Sequence, residues 1–568
     1  MRFAALATDF DGTLARNGQV SAHALSALER LRASGRRLLL VTGRELHDLQ
    51  GAFSRLDLFD LLVLENGATL YFPLERREQL LADPPPEQFI AACRERGVAG
   101  LSVGRVVVAT SEAETPKVLD AIHSLGLELQ PIFNRGSVMI LPSGVNKASG
   151  LAAALNHLGL SSHNVVAVGD AENDHAFLSF CECSVAVANA LPALKKRADL
   201  VTAGCDGDGV AELIESLIAD DLGQLNGSLH RHDILLGRTR NGDLCFPVYG
   251  RNLLIAGSSG GGKSSITGAF VERLLEARYQ VCVIDPEGDY KTLGDAVVLG
   301  EPTSPPTVDA ALAVLSKPER SLVLNLVGVR FEDRPAFFQS LITRVQELTL
   351  RTARPHWMVI DEAHHLLPAD RKSPMLAPAR GLLNTALITV RPEHVARDVV
   401  ALTDAMIAVG KDPDEAARAW SAATGIPAAP SQVSLDRRQA ILWRKEKPGQ
   451  PVCFEVAECQ SDRVRHSRKY ASGELPPERS FYFRGPANKL NLRADNLTTF
   501  LRMGDGVDED TWLHHLRQGD YSRWMRSEIH SDELAGETEA IEREDHLTAD
   551  ESRAKIREAI QKRFTIPE

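Results

Sequence analysis

Short apolar runs alternate with amphipathic stretches over the first 220 residues. The runs are Phe3–Ala7, Leu38–Val41, Leu61–Leu64, Val165–Val168 and Ser184–Val187. Helical periods fall between several of them, as in Ala22–Ala33 and Lys147–Leu158. Runs of four or five apolar residues separated by helices suit strands buried on both faces. That alternation predicts βαβ units and a doubly wound parallel sheet. A stretch from about 69 to 145 interrupts it. Its own strand, helix and strand (Val106–Ala109, Ala113–Leu125, Ser137–Leu141) predict an inserted α+β cap.

A second α/β pattern follows a polar linker near Asp221–His232. Ile234–Val248 reads as a hairpin turning at Asn241 and Gly242. Six apolar strands then come in LLIAG, VCVID, SLVLNL, WMVID, TALITV and AMIAVG. Pro476 and Pro477 break the chain, and amphipathic helices dominate afterwards. Trp512, Leu513 and Leu516 share one face, and Gly519 ends that helix. Asp520 or Ser522 can cap the next, which buries Trp524 and Ile529. Thr548 with Glu551 forms a capping box ahead of Ile556, Ile560 and Phe564. The expected domains are 1–220, with a cap at about 69–145, then 221–475 and 476–568.

Composition narrows the function classes. The chain has 568 residues, 44% hydrophobic and 25% charged, with a net charge of −12. That describes an ordinary globular protein, too long for one core. The acidic balance argues against a general nucleic-acid coat, and 5% aromatics against a broad stacking surface. Locally, basic residues outnumber acidic ones between 437 and 493, most densely in DRVRHSRKY at 462–470. A pore touching phosphates and an ion-paired or solvated face both fit that stretch. The 8 cysteines show no zinc spacing and read as free buried thiols in a reducing cytoplasm. His514 and His515 read as surface or core histidines rather than ligands. No apolar run approaches the ~18 residues of a membrane span.

Two unrelated sets of phosphate-handling motifs occur. In the first, Asp9 and Asp11 of DFDGTL leave a strand end towards one crevice, where open α/β sheets place ligands. A carboxylate can attack phosphorus, and a second can protonate the leaving oxygen and then activate water. Thr42 ends the next strand in VTGR, Lys147 opens a helix, and GDAEND brings Asp170 and Asp174 to another strand end. A magnesium ion on Asp9, Asp170 and Asp174 would offset the phosphate charge, helped by Lys147 and Thr42.

This ordered set resembles the haloacid dehalogenase superfamily of phosphatases. The cap position, ENGA at 65–68 and VANA at 187–190 resemble its branch acting on sugar phosphates and phosphoglycolate-type substrates. The resemblance implies Asp9 as nucleophile and Asp11 as acid/base. It implies Thr42, Lys147 and Asn173 as phosphate binders. Asp9, Asp11, Asp170 and Asp174 would be the metal set. Cap candidates for substrate choice include Asn134, Arg135 and Ser137.

In the second set, GSSGGGKS at 257–264 follows a strand and opens a helix, the context of a P-loop. Gly257, Gly260, Gly261, Gly262, Lys263, Ser264 and Ser265 form the expected nucleotide cradle. Ser264 and Asp361 of VIDEAH would serve the magnesium, and Glu362 the attacking water. DEAH also fits a helicase, but no QRxGRxGR-type segment occurs. VIDPEGDY and the hairpin before the P-loop resemble the HerA/FtsK ring translocases. ITVRPEHV at 388–395 resembles their TQRP motif, with Val390 in place of the usual glutamine. Arg391 is a candidate charge stabiliser or a surface ion-pair partner.

The expectation is therefore a cytoplasmic, magnesium-dependent phosphomonoesterase joined to an ATP-hydrolysing homo-oligomeric ring, which that resemblance implies is a hexamer. The favoured substrate is a small phosphorylated metabolite. The alternative is a DNA- or RNA-processing translocase that trims end phosphates.

Overall fold

The computed structural model describes residues 2–225, 229–258, 261–291, 293–369, 384–431, 435–436, 438–459, 475, 477–486, 488–529, 531–544 and 546–561. The first expected strands form one sheet of eight. Six strands run parallel, in the order Leu200–Val201, Cys183–Ala186, Val165–Gly169, Ala5–Thr8, Arg37–Val41 and Leu61–Leu64. The Ala5–Thr8, Val165–Gly169 and Leu61–Leu64 strands are buried throughout, as uninterrupted apolar runs between helical layers must be.

Two strands assigned to the insert belong to this sheet instead. Thr69–Phe72 turns back antiparallel on Leu61–Leu64, and Arg77–Leu80 pairs with it in turn. The inserted layer begins beyond them. It is a four-stranded antiparallel sheet of Ser102–Val103, Val108–Ser111, Ser137–Pro142 and Leu129–Asn134. Helices Glu87–Glu95 and Thr115–Leu125 bury Phe89, Cys93, Val118 and Ala121 in its core.

A second sheet has eleven strands. Seven are parallel: Ala405–Val409, Leu253–Gly257, Thr385–Thr389, Trp357–Ile360, Val281–Asp285, Leu322–Asn325 and Val297–Leu299. Four antiparallel strands extend it, among them the hairpin Ile234–Thr239 and Gly242–Phe246. Its two-residue loop is Arg240–Asn241, not the expected Asn241–Gly242, because Thr239 pairs with Gly242. Gly242 opens the return strand at φ 125°, which a side chain would resist.

Contacts divide the chain into two units. Both large sheets and the cap lie in the first, Met1–Gly288 with Gly294–Ala457; the second is Asp289–Leu293 with Glu458–Glu568. The expected boundary stood at 475/476. Most of 458–476, including the basic DRVRHSRKY, lies outside the described residues, as does Phe564.

The second unit is mainly helical. A short hairpin, Phe481–Phe483 with Leu492–Ala494, precedes five helices between Leu497 and Gln561. Trp512, Trp524, Phe500 and Tyr521 fill its core with Ile529. Gly519, at φ 64°, sits directly before Asp520–Ser527. The Thr548–Glu551 capping box is present, with Thr548 N donating at 2.9 Å and Glu551 N at 3.2 Å. His515 is buried; its ring accepts from Arg484 N at 3.0 Å and pairs with Asp520.

Cysteine burial departs from expectation. Cys93, Cys181, Cys183 and Cys282 are buried, whereas Cys205, Cys245 and Cys453 are exposed. No described helix is long and apolar enough to cross a membrane.

Candidate active site and nucleotide cradle

The first site forms at the carboxyl ends of the central strands Ala5–Thr8 and Val165–Gly169. Asp9 and Asp170 directly follow these strands, so the parallel pairing brings both carboxylates to one end. Lys147 is the first residue of helix Lys147–Leu158. Asn146 caps it, accepting from Ala148 N and Ser149 N at 2.9 and 3.1 Å. Lys147 Nζ then donates to Asp9 Oδ1 at 2.5 Å and to Asp174 Oδ1 at 2.6 Å.

The group is almost fully shielded, with Asp9, Lys147, Asp170 and Asp174 all buried. Burial pushes the Asp9 carboxyl up to about 7, against the pull of Lys147, and Asp174 adds to the rise. Burial works against the Lys147 ammonium, but Asp174 and Asp9 outweigh it and hold its pKa above the ordinary value. Lys147, with Arg135 paired to Asp170, still leaves three ionised carboxylates one positive charge short. Asp9, Asp170 and Asp174 offer ligand oxygens within 4.8 Å of one another. An all-oxygen, multiply charged donor set suits a hard divalent cation such as magnesium.

Other expected residues converge here, with one exception. Thr42 is buried at the end of Arg37–Val41. Asn173 Nδ2 donates to Asn66 Oδ1 at 3.0 Å. Asp11, however, keeps its side chain outside the carboxylate cluster. Arg44 grips it with two hydrogen bonds of 2.6 and 2.7 Å, so the Asp11 carboxylate does not join the metal set. The hydrogen bonds to Asp11 raise the Arg44 pKa beyond its ordinary value.

Three contributors were not singled out from sequence. Arg44 lay inside VTGR without a role. Thr13 donates to Asp170 Oδ1 at 2.8 Å. Glu65, buried in ENGA, accepts from the backbone of Arg105, Val106 and Val107 at 3.0, 2.8 and 2.9 Å. It thereby fastens the inserted layer to the catalytic sheet. The glycine of that motif is equally constrained: a side chain at Gly67, φ 104°, would strike the Asn146 carbonyl that precedes Lys147.

The insert also reaches over the site. Arg135, at the tip of the Leu129–Asn134/Ser137–Pro142 hairpin, forms an ion pair with Asp170. Its guanidinium occupies the space a side chain at Gly12 would need. Ser137, by contrast, pairs with Asn134 and Ser111 in the cap sheet.

Comparison with known proteins agrees with this geometry. A family model for haloacid dehalogenase-like hydrolases matches residues 6–98 and 102–214. A phosphoglycolate phosphatase of Methanothermobacter thermautotrophicus is 30% identical over 219 residues, 37% of this chain and 96% of that protein. The chain belongs to the haloacid dehalogenase-like hydrolases. Phosphoglycolate phosphatase 2 of Saccharolobus solfataricus is 28% identical over 225 residues, 39% of this chain and 94% of that protein. The 5-amino-6-(5-phospho-D-ribitylamino)uracil phosphatase YitU of Bacillus subtilis is 25% identical over 258 residues, 37% of this chain and 96% of that protein. A second model, for the central domain of helicase HerA, matches residues 247–375. The chain is thus a haloacid dehalogenase-type phosphatase fused to a HerA-type ATPase domain.

In the HerA-type domain, Leu253–Gly257 lies between Thr385–Thr389 and Ala405–Val409. Gly257 has no room for a side chain, which would strike the Val409 carbonyl. Gly262, at φ 104°, immediately precedes helix Lys263–Glu276. Lys263 is buried and donates to the Gly257 and Ser258 carbonyls at 2.8 and 3.4 Å. Ser264 and Ser265 follow in the first helical turn, beside Gly261 in the loop. Gly260 lies outside the described residues.

Asp361 and Glu362 follow strand Trp357–Ile360, two strands from the P-loop strand. Glu362 has φ 40°, and its carboxylate faces His364 at 3.4 Å. Arg391 is exposed, 3.9 Å from Glu393. It and Val390 follow strand Thr385–Thr389, beyond the end of the HerA match.

Proposed function

We propose that the phosphatase head is a magnesium-dependent phosphomonoesterase for a small substrate with a second anionic group, such as phosphoglycolate. The observation that carries the phosphatase chemistry is Asp9 held by Lys147 at 2.5 Å beside Asp170 and Asp174. Magnesium, held by Asp9, Asp170 and Asp174, would offset the charge of the phosphate dianion. Lys147 and the Thr42 hydroxyl donate to the phosphate oxygens, and Asn173 borders the same space. An Asp9 oxygen forms the bond to phosphorus as the ester bond breaks. Asp11 passes a proton to the leaving oxygen. Asp11 then takes a proton from water, whose oxygen attacks the aspartyl-phosphate and releases phosphate and free Asp9. Arg44 orients Asp11 for both transfers.

Arg135 supports the choice of substrate. It reaches from the cap into the site, where a planar guanidinium pairs well with a carboxylate. The names of the two archaeal relatives point the same way. A panel of phosphoglycolate, neutral-tailed sugar phosphates and 3′-phosphorylated oligonucleotides tests this with wild type and Arg135→Ala. Arg135→Ala should raise KM for phosphoglycolate at least about ten-fold, with little change for p-nitrophenyl phosphate. Equal losses on both would remove Arg135 as the anion reader. Preference for the oligonucleotides would replace the metabolite substrate.

The second head is proposed to hydrolyse ATP as a homo-oligomeric ring, six-membered by analogy with HerA-type proteins. Lys263 and Ser264 serve the phosphates and magnesium, Asp361 the metal shell, and Glu362 the water. An exposed Arg391 is suited to complete a neighbour's site rather than its own. Mass photometry with a non-hydrolysed ATP analogue checks this. A fully active monomer would exclude the ring.

A further inference from the structure

Between the phosphatase sheet and the end of the P-loop helix lies a buried cluster that neither chemistry uses. His163 precedes strand Val165–Gly169, Glu182 precedes Cys183–Ala186, and His232 comes from the connecting segment. We propose that His163 Nδ1, Glu182 Oε2 and His232 Nε2 form a binding site for one zinc ion that clasps the phosphatase layer to the connecting segment.

Hydrogen-bond accounting points there first. His163 Nε2 lies 2.8 Å from the Ala277 carbonyl, which can only accept. The neutral ring therefore carries its proton on Nε2 and leaves a lone pair on Nδ1. That lone pair faces Glu182 Oε2 at 2.8 Å, another acceptor. Something positive must lie between them. A proton satisfies this pair alone. A metal ion also answers His232, whose buried Nε2 has no hydrogen-bond partner among the described residues and lies 3.9 Å from the same Glu182 oxygen.

The surroundings resemble those of a ligand set. The three donor atoms lie within 4.8 Å of one another. A metal-bound histidine commonly donates its other N–H to a carbonyl, as His163 does to Ala277. Tyr279 Oη donates to Glu182 Oε2 at 2.8 Å, and Arg2 Nη2 donates to Oε1 at 2.6 Å, which orients the carboxylate. A cavity of about 20 Å³ adjoins Glu182 and His232, room for one water as a fourth ligand. Two imidazoles and a carboxylate suit zinc, whereas magnesium prefers oxygen alone.

The clasp would act where the nucleotide helix ends. Ala277 caps helix Lys263–Glu276, which begins at the P-loop lysine. His163 lies seven positions before Asp170, and strand Val165–Gly169 runs between them. Zinc at this point ties the phosphatase layer to the connecting segment, and the hydrogen bonds of Ala277 and Tyr279 to its ligands extend the link to the ATPase layer.

The test uses the tag-free full chain, stripped with chelator and dialysed against equimolar zinc or cobalt. Elemental analysis should find one zinc per chain in wild type and in Asp170→Asn, where only the magnesium site is impaired. His232→Ala should lose it while keeping its circular dichroism, because His232 is partly exposed. Cobalt-loaded wild type should show the strong visible bands of tetrahedral nitrogen ligation, absent in His232→Ala and in Glu182→Gln. Wild type without retained zinc, or His232→Ala with undiminished zinc and cobalt bands, would overturn the site.

Discussion

The two phosphate sites differ in what their own chain supplies. In the phosphatase, Lys147 already touches Asp9 and Asp174 at 2.5 and 2.6 Å, and Thr13 holds Asp170. In the ATPase domain, Lys263 turns back on the Gly257 and Ser258 carbonyls, and Arg391 stays exposed beside Glu393. The first constellation is built from side chains that satisfy one another across adjacent strand ends. The second is a backbone cradle whose lysine bonds to carbonyls of its own loop. Side-chain constellations are assembled by the fold, whereas cradles are completed by the ligand and, in a ring, by a neighbour.

The sharpest way to separate the two is to remove one nucleophile. Asp9→Asn should lower phosphatase turnover at least about a thousand-fold and leave ATP hydrolysis within a few-fold of wild type. Phosphate release from p-nitrophenyl phosphate and from ATP, assayed on one preparation, decides it. Appreciable turnover by the variant would take Asp9 out of the mechanism. The reciprocal change is Lys263→Ala, which should reduce ATP hydrolysis by about a hundred-fold or more while the phosphatase persists. Glu362→Gln should be as slow yet still bind ATP, since the carboxylate acts on water after binding. Calorimetric titration with ATP distinguishes these two. A hydrolysing Glu362→Gln would assign the base elsewhere.

A smaller effect should follow from loosening the cap. Glu65→Gln replaces a carboxylate serving three backbone donors with an amide whose NH2 faces some of them. Leaving buried donors unpaired is costly. Expected results are a roughly ten-fold higher KM and faster amide exchange at 105–107, with ATP hydrolysis untouched. Unchanged exchange there would deny Glu65 its fastening role.

The same contrast explains what was legible in the sequence. Buried parallel strands are contiguous apolar runs, so Leu61–Leu64 and Leu253–Gly257 announce themselves, and the chemistry follows at their ends. The Thr548 capping box and the Gly519 stop are likewise local signals. Contacts across long separations were not legible. The Arg44 grip on Asp11 and the reach of Arg135 to Asp170 depend on how loops and cap fold back. Nothing in the VTGR spacing draws Asp11 away from the carboxylate cluster. The cap boundary was misplaced because Thr69–Phe72 and Arg77–Leu80 are short strands, one buried throughout and one mostly exposed, and neither sequence says which sheet receives it. The His163–Glu182–His232 cluster joins residues that carry no common motif.

The smallest predicted effect concerns His364, beside the candidate water-polarising Glu362. Burial lowers its pKa to about 4, with His365, His394 and Lys263 adding to the fall. An unfolded histidine titrates near ~6.5. Between those values the unfolded chain binds the extra proton and the folded chain does not. This group's contribution to stability is therefore present above ~6.5 and is lost as pH falls towards 4. His364→Gln keeps a polar side chain but removes the titration, so it should flatten that part of the acid-side decline. The ring is partly exposed, so the effect is modest, on the order of 1 °C in the difference between Tm at pH 7 and at pH 5. Thermal melts of wild type and variant at both pH values, in the presence of ATP and absence of magnesium, measure it. Parallel declines in the two proteins would show that His364 titrates normally in the fold. It would then be protonated beside Glu362 in mildly acid solution, and the ATPase site would respond to pH where the phosphatase comparison gives no reason to expect it.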